Sequence, residues 1–225
     1  MRLALFGGSF DPPHLGHTGI ALAAAQRLHL DRILMAPVGR QPLKRDQPQS
    51  PFADRLAMVK LACAKHAPII PSDIDAPHPD GRFNYTHDTL RQLRDTCPHD
   101  ELYCLIGADS LQTLHHWYRA SEALMLAQWI VAARPGLPLE ALNNLLPSGV
   151  EAATPEQADD CIRLSLTSGS SQQTLWLLPG LDYEISATAL RAALASGTSA
   201  RPESIAQQVL DPAVAGYARR HHLYS

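Results

Sequence analysis

The start of the chain combines a short apolar segment, a glycine pair and a segment rich in helix formers, and this order constrains the fold more than any other stretch. Residues 2–6 read Arg-Leu-Ala-Leu-Phe, which is typical of a buried β-strand. Gly7 and Gly8 follow, and residues 18–28 favour a helix. The pattern predicts a strand, a tight turn and a helix that starts at residue 15 or 16. The N–H groups and positive dipole at the start of such a helix suit an anion in the preceding loop.

The loop between strand and helix has its own signature. Residues 7–17 read G-G-S-F-D-P-P-H-L-G-H. The lysine-containing pattern G-x-x-x-x-G-K-[ST] and the pattern G-x-G-x-x-G are both absent from it, so it is not one of the commoner phosphate loops. His14 and His17 stand three residues apart, close enough to face one anion from the helix start. An isolated histidine pair is more often a plain loop and helix-cap feature, but the glycines and the strand–helix context favour a phosphate site.

Composition and charge exclude several classes of protein. The 225 residues include 19 Lys and Arg against 22 Asp and Glu, and this near balance disfavours a nucleic-acid partner. No apolar run approaches the ~18 residues of a membrane span, and Met1 leads into the first predicted strand without a secretory signal. The four cysteines contain no C-x-x-C pair. We therefore expect a cytoplasmic protein with free thiols, while homo-oligomerisation stays an open alternative.

Short apolar segments alternate with helical patterns along the chain. The segments that predict strands after the first are residues 33–37, 69–70, 102–106, 129–133 and 175–178, and Pro71 is expected to cut the second of these short. This alternation predicts an α/β fold, namely a Rossmann-like doubly wound parallel sheet of about five strands with C-terminal helices. We expect a single domain over residues 1–225. Residues 137–173 are the least informative, and residues 168–171 predict a flexible turn.

Residues with useful chemistry follow several predicted strands. Gly107 and Asp109 come directly after the strand at 102–106, and Arg134 follows the next one. In open α/β sheets ligands bind at the carboxyl ends of the strands. A carboxylate there can accept both hydroxyls of a ribose, and an arginine can hold a phosphate. The sequence therefore predicts a nucleotide site at this edge.

These motifs resemble the HxGH nucleotidyltransferases, relatives of the class I aminoacyl-tRNA synthetases, and in particular the bacterial nicotinate mononucleotide adenylyltransferases. The likeness covers nearly the whole chain and fails mainly in residues 137–173. Residues 7–17 match the first signature of the family, and residues 185–191 match I-S-x-T-x-[IL]-R, which binds the triphosphate. Residues 106–109 match I-G-x-D, where the adenosine ribose binds. Two of the three matches therefore concern ATP phosphates.

Other matches concern the second substrate. Residues 85–90 match Y-T-x-x-T-L, whose backbone receives the nicotinate carboxylate at the start of a helix. Trp117-Tyr118 matches the W-[YH] pair that packs on the pyridine ring, and residues 134–136 match the R-P that follows the fifth strand. The resemblance thus implies catalytic roles for His14 and His17. It implies ATP-binding roles for Gly7, Gly8, Ser9, Phe10, Gly107, Asp109, Ile185, Ser186, Thr188 and Arg191. It implies mononucleotide-binding roles for Lys44, Tyr85, Thr86, Trp117, Tyr118 and Arg134.

The implied reaction joins ATP and nicotinate mononucleotide to give deamido-NAD and pyrophosphate in NAD biosynthesis. The acceptor phosphate is already an anion at neutral pH, so no general base is needed. His14 and His17 are then donors to phosphate oxygens that stabilise charge at the α-phosphorus. Mg²⁺ is expected as a cofactor carried on the ATP phosphates, with no metal site on the protein.

One loop departs from the family. Its usual form is P-N-x-x-P-P-H-[KR], whereas residues 38–44 read V-G-R-Q-P-L-K, which lacks the asparagine, one proline and the histidine and keeps the terminal cation, Lys44. The departure leaves the exact acceptor open between nicotinate mononucleotide and nicotinamide mononucleotide, phosphopantetheine or a cytidylyl acceptor. A nucleotide-binding sensor without catalysis is a further alternative. The aromatic matches favour a pyridine nucleotide, and retention of both histidines and Arg191 disfavours the sensor.

Overall fold

The structure is a computed structural model that describes residues 1–44, 47, 49–133, 139–181, 187–195 and 209–224. Its helices are α1 (Leu15–Arg27), α2 (Phe52–Cys63), α3 (Thr86–Thr96), α4 (Ala108–Gln112), α5 (Ala120–Leu126), α6 (Ala187–Ala195) and α7 (Pro212–Arg220). Its strands are β1 (Arg2–Gly8), β2 (Arg32–Pro37), β3 (Ile69–Pro71), β4 (Glu101–Gly107), β5 (Gln128–Ala132), β6 (Glu151–Ala152), β7 (Glu156–Ala158), β8 (Cys161–Ser168) and β9 (Ser171–Leu178). Short 3₁₀ helices cover Pro42–Lys44, Leu114–His116 and Leu139–Leu145.

The strands form one mixed sheet. Within the described ranges it has nine strands in the order β3-β2-β1-β4-β5-β9-β8-β6, and β7 pairs with β8. The pairs β1–β4, β4–β5 and β5–β9 are parallel, whereas β6, β7 and β9 run antiparallel to β8. The predicted α/β class with a largely parallel sheet is confirmed. The sheet is larger than the five strands predicted.

Most of the extra strands lie within residues 137–173, the stretch whose sequence pattern was the least informative. Ser168 pairs with Ser171 across the β8–β9 hairpin, and Gly169 between them has φ +57°. Glycine adopts this conformation at no steric cost, as tight hairpin turns require. Buried Leu164 and Leu166 alternate with more exposed polar residues along β8. Because half of the residues of β8 are polar, its sequence has no apolar run that would predict a strand. The turn predicted at residues 168–171 is the turn of this hairpin.

Packing divides the chain into two compact units. The first unit comprises Met1–Phe6, Ala23–Ile33 and Tyr85–Asp182, and the second comprises Gly7–Leu22, Leu34–Asn84 and Tyr183–Ser225. In the first unit the fully buried residues include Leu105, Trp129, Ile130 and Leu177 of the central strands. In the second unit α2, α6 and α7 pack through a buried cluster that includes Met58, Leu190 and Val214.

Two further findings bear on the environment of the chain. Over the ranges given above, no helix combines the length and the apolar character needed to cross a membrane. Cys63, Cys97, Cys104 and Cys161 are all free thiols.

Candidate functional site

The signature loop of the second unit presents two stacked histidines. The carbonyl of His14 accepts the N–H groups of His17 and Thr18 at 2.9 and 3.4 Å, so α1 begins directly after it, as predicted. The two imidazole rings stack with centroids 3.6 Å apart. The backbone N–H of His14 donates to Nδ1 of His17 at 3.1 Å. Since Nδ1 accepts, the ring proton of a neutral His17 lies on Nε2, which can donate.

The environment of His14 sets its charge. The residue is buried, and among the described residues its Nδ1 has no hydrogen-bond partner. Burial lowers the pKa of His14 to about 4 because desolvation disfavours the imidazolium. His14 is therefore neutral at pH 7 and can donate an N–H without carrying a fixed positive charge.

Glycine and phenylalanine shape the loop from inside. A Cβ on Gly8 would lie 3.0 Å from the Phe10 ring, whereas a Cβ on Gly7 would meet no protein atom of the described chain within 4 Å. Phe10 is 2% exposed, has φ 47° and packs its ring edge-on against His17. The Phe10 side chain therefore stabilises the loop from within. Because this side chain is buried, Phe10 can contact a nucleotide only through its backbone. Gly7 leaves room for a ligand.

Asp11 connects the loop to three other segments. Its Oδ2 accepts the N–H of Ser50 at 2.9 Å, and its Oδ1 accepts the hydroxyl of Tyr224 at 2.5 Å. Its carbonyl accepts Nη1 of Arg191 at 3.0 Å, while Nη2 of Arg191 donates to Oγ1 of Thr188. The structure thus brings Thr188 and Arg191 of α6 to the signature loop. Ile185 and Ser186, predicted to bind ATP beside them, lie outside the described residues.

Arg55 of α2 is a site residue that sequence reasoning missed. Its guanidinium is 1% exposed and donates to three carbonyls, those of Ser9, Ser50 and Gly39. Burial lowers the pKa of Arg55, and the nearby carboxylate of Asp11 partly offsets this. A signal was present, because Arg55 lies three residues after Phe52 and four before Val59, on the apolar stripe of its helix.

The divergent loop at 38–44 is anchored by backbone contacts. The N–H of Val38 donates to the Gly8 carbonyl at 2.9 Å, and the N–H of Gly39 donates to the Asp75 carbonyl at 2.7 Å. A Cβ on Gly39 would lie 2.4 Å from the backbone nitrogen of Pro77. Glycine at this departure from the family is therefore required by packing. The side chain of Lys44, like the whole of Arg134, lies outside what the structure describes.

Two predicted ribose residues stand together in the first unit. Gly107 is the last residue of β4, and Asp109 is exposed in the first turn of α4. A Cβ on Gly107 would meet no described protein atom within 4 Å. The end of β4 therefore borders open space, and the carboxylate of Asp109 follows two residues after Gly107.

The first unit also gathers an aromatic cluster at the start of α3. The Tyr85 carbonyl accepts the N–H groups of Asp88 and Thr89, so α3 begins at Thr86 with Tyr85 as its N-cap. The rings of Tyr85 and Tyr118 lie 4.4 Å apart between centroids, and Tyr118 is 47% exposed. His87 is 2% exposed and lies edge-on to Tyr118. The paired rings of Tyr85 and Tyr118 therefore belong to the residue that precedes α3 and to a residue packed against it.

Trp117, the neighbour of Tyr118, makes different contacts. Its ring lies 6.1 Å from that of Trp129, and its Nε1 donates to Oγ1 of Thr113 at 3.4 Å. The predicted W-Y pair is thus divided, with Tyr118 on Tyr85 and Trp117 toward the sheet. His87 was missed in the sequence, where a lone histidine next to Asp88 gives no distinctive signal.

In the part of the chain that the structure describes, no group of three or more His, Cys, Asp or Glu side chains is placed to hold a metal ion.

Comparison with known proteins identifies the class. The family model described as cytidylyltransferase-like matches residues 5–193. The match spans most of the chain, and the chain therefore belongs to this family of nucleotidyltransferases.

Relatives narrow the class. A protein of Roseiflexus sp. (strain RS-1), named "Probable nicotinate-nucleotide adenylyltransferase", is 39% identical over 99% of this chain and 97% of its own. A protein of Synechococcus sp. (strain JA-2-3B'a(2-13)) with the same name is 34% identical over 99% and 96%. Within its class, the chain falls among the nicotinate-nucleotide adenylyltransferases.

The structure of Plasmodium falciparum nicotinic acid mononucleotide adenylyltransferase complexed with NaAD matches with a TM-score of 0.70 over 99% of this chain and 96% of that one. At 16% identity this likeness shows the fold alone.

Proposed function

We propose that this chain transfers the adenylyl group of ATP to nicotinate mononucleotide, giving deamido-NAD and pyrophosphate. The observation that carries the proposal is the stacked pair His14 and His17 at the start of α1, with Arg191 bonded to the same loop through the Asp11 carbonyl. The names of the full-length relatives support the acceptor.

The reaction needs positioning and charge stabilisation. A phosphate oxygen of the mononucleotide attacks the α-phosphorus of ATP, a new P–O bond forms, and the bond to the bridging oxygen of pyrophosphate breaks. The attacking oxygen is already anionic, so no proton has to be removed. Neutral His14 and the Nε2–H of His17 donate to oxygens of the phosphate chain, where negative charge develops.

ATP is assigned to the loop and strand-end residues. The backbone of residues 7–10 lies along the phosphates, Thr188 and Arg191 hold the β- and γ-phosphates, and Gly107 with Asp109 receives the ribose. Ile185 and Ser186 complete the phosphate contacts in this proposal. The space beside Gly7 and Gly107 supports it, because a ligand can approach the backbone there.

The mononucleotide is assigned to the aromatic cluster and two cations. The carboxylate meets the helix start at Tyr85 and Thr86, which offers N–H donors and a positive dipole end. Tyr118 and Trp117 border the pyridine ring, and Lys44 and Arg134 hold the phosphate.

Mg²⁺ enters as part of the substrate. A nucleotidyltransferase that uses ATP generally needs a divalent metal, and Mg²⁺ keeps several waters while binding phosphates. We infer that it arrives as MgATP. We further infer that residues 1–225 act as one nucleotidyltransferase domain, which the extent of the family match over residues 5–193 supports. The four free thiols support a reducing, cytoplasmic setting.

One assay tests the function. The purified full-length chain is mixed with MgATP and, separately, nicotinate mononucleotide, nicotinamide mononucleotide, phosphopantetheine or a cytidylyl acceptor, and pyrophosphate release is measured. We expect the highest kcat/KM with nicotinate mononucleotide. A higher kcat/KM with another acceptor would identify that acceptor as the substrate. Nucleotide binding without turnover for every acceptor would favour a nucleotide-binding sensor without catalysis.

A further inference from the structure

The last described residue of the chain contacts the signature loop. The hydroxyl of Tyr224 donates to Oδ1 of Asp11, a residue 213 positions earlier. The Tyr224 ring packs against the buried cluster of α2, α6 and α7, with its oxygen 3.9 Å from Sδ of Met58. The C-terminal segment is therefore bonded directly to the loop that carries His14.

Asp11 is held on both carboxylate oxygens. It is 4% exposed, with Ser50 N–H on one oxygen and Tyr224 on the other. The buried guanidinium of Arg55 lies close enough to interact electrostatically with Asp11, and it donates to the carbonyls of Ser9 and Ser50. Both oxygens of this buried carboxylate already accept hydrogen bonds from the protein, so Asp11 does not need a ligand as a partner. Its role is to hold the signature loop in place.

Tyr224 is suited to hold this carboxylate. Burial and the hydrogen bond to Asp11 raise the pKa of Tyr224, so its hydroxyl keeps its proton at any physiological pH. It is a constant donor, and hydrogen bonds to a charged acceptor are the stronger kind.

We propose that Tyr224 is a positioning residue for adenylyl transfer, because its bond to Asp11 fixes the loop backbone that carries His14 and the carbonyl that binds Arg191. His14 follows Asp11 by three residues, and the Asp11 carbonyl is the acceptor of Arg191. A shift of Asp11 therefore moves a catalytic histidine and a phosphate-binding arginine together. The inference rests on the proposed function.

A matched control stands on the neighbouring helix. The hydroxyl of Tyr217 in α7 donates to Oδ1 of Asp54 at 2.8 Å, and its ring packs on the same buried cluster. Tyr217 and Tyr224 thus each join the C-terminal segment to an aspartate of the second unit. Of these two tyrosines, Tyr224 bonds to the signature loop and Tyr217 bonds to α2.

The experiment compares Tyr224→Phe with Tyr217→Phe in the full-length chain. Each variant keeps the ring and loses one hydroxyl. Melting temperature is measured first, and kcat and KM for MgATP and nicotinate mononucleotide follow at a temperature well below both transitions. We expect similar small losses of melting temperature, a kcat about tenfold lower for Tyr224→Phe, and a kcat equal to wild type for Tyr217→Phe. KM for the mononucleotide should stay unchanged in both.

A double-mutant cycle tests the route of the effect. If Tyr224 acts through Asp11, adding Tyr224→Phe to Asp11→Ala, which removes the acceptor, should lower kcat by less than twofold beyond Asp11→Ala alone. Equal kcat values for the two tyrosine variants, or fully additive losses in the cycle, would overturn the inference while leaving the proposed function intact. Lack of turnover by the wild-type chain with every acceptor would refute the proposed function, and the inference with it.

Discussion

The imidazole rings of His14 and His17 stack with centroids 3.6 Å apart and planes 25° apart, one turn from each other at the start of α1. The backbone N–H of His14 also orients the His17 ring by donating to its Nδ1. The two rings are therefore held as a unit, and a change at either one disturbs both.

Replacing His17 with alanine should abolish most turnover. We expect kcat to fall about a hundredfold or more, the scale for removing one donor to developing charge. ATP binding should change far less, because the histidine acts mainly in the transition state. Single-turnover kinetics and equilibrium binding of an ATP analogue measure the two quantities. His99→Ala, an exposed histidine on another segment, is the control. Near-normal turnover by His17→Ala would remove the catalytic assignment.

The burial of His14 predicts a pH dependence of stability. The unfolded chain takes up a proton on this residue near pH 6.5, whereas the folded protein does so near pH 4. The contribution of His14 to the free energy of unfolding should therefore fall by up to about 3 kcal/mol as the pH drops from about 6.5 to 4, and change no further below pH 4. Urea titrations at pH 7 and pH 5 measure the slope.

The variant His14→Gln isolates this contribution. It should show a smaller loss of stability between the two pH values, while His99→Gln should behave as wild type. The same loss in wild type and His14→Gln would show that His14 is not buried in the neutral form.

Arg191→Ala should raise the KM for ATP more than the KM for nicotinate mononucleotide. A charge-assisted hydrogen bond to phosphate is lost, which costs about 1.5–3 kcal/mol, or roughly ten- to a hundredfold. Initial rates with each substrate varied in turn give both constants, and Arg219→Ala on the exposed face of α7 is the control. A larger rise in the KM for nicotinate mononucleotide than in the KM for ATP would instead place Arg191 in the binding site of the mononucleotide.

Two glycines should respond oppositely to alanine. Gly39→Ala would force a Cβ to 2.4 Å from the backbone of Pro77, so we expect a loss of about 1–3 kcal/mol of stability. Gly107→Ala has open space in the protein, so its melting temperature should stay close to wild type while its KM for ATP rises. Thermal unfolding and ATP titration separate the two. A stable, active Gly39→Ala or an unfolded Gly107→Ala would contradict the packing described.

The acceptor should be the acid and not the amide. A carboxylate accepts from every N–H at the start of α3, whereas a carboxamide turns its own NH₂ toward one of them and leaves it unpaired. That mismatch costs about 1–3 kcal/mol, or roughly tenfold to a hundredfold in kcat/KM. Measuring kcat/KM for both mononucleotides under one set of conditions decides the matter. Equal values, or a preference for the amide, would refute the prediction.

Local patterns were enough to predict the parts of this protein that form locally. The apolar run before Gly7 and the helix formers after His17 determine β1 and α1, and the helix begins at Leu15 because the His14 carbonyl accepts its first intrahelical bond, from the N–H of Thr18. The central strands were predicted for the same reason, since each is a short buried run. The motif residues also placed the chain in its family.

Relationships between distant residues were decided only by the tertiary structure. The pairing of β8 with β9 depends on a partner strand, so a half-polar segment gave no clear pattern until that partner was known. Arg55 lies on the apolar stripe of its helix in the sequence, but what makes its burial possible is visible only in the structure, where three carbonyls from separate segments converge on it. The bond between Asp11 and Tyr224 joins residues near opposite ends of the chain. No local propensity encodes such a contact, because it forms only when hydrophobic packing brings α2 and α7 together.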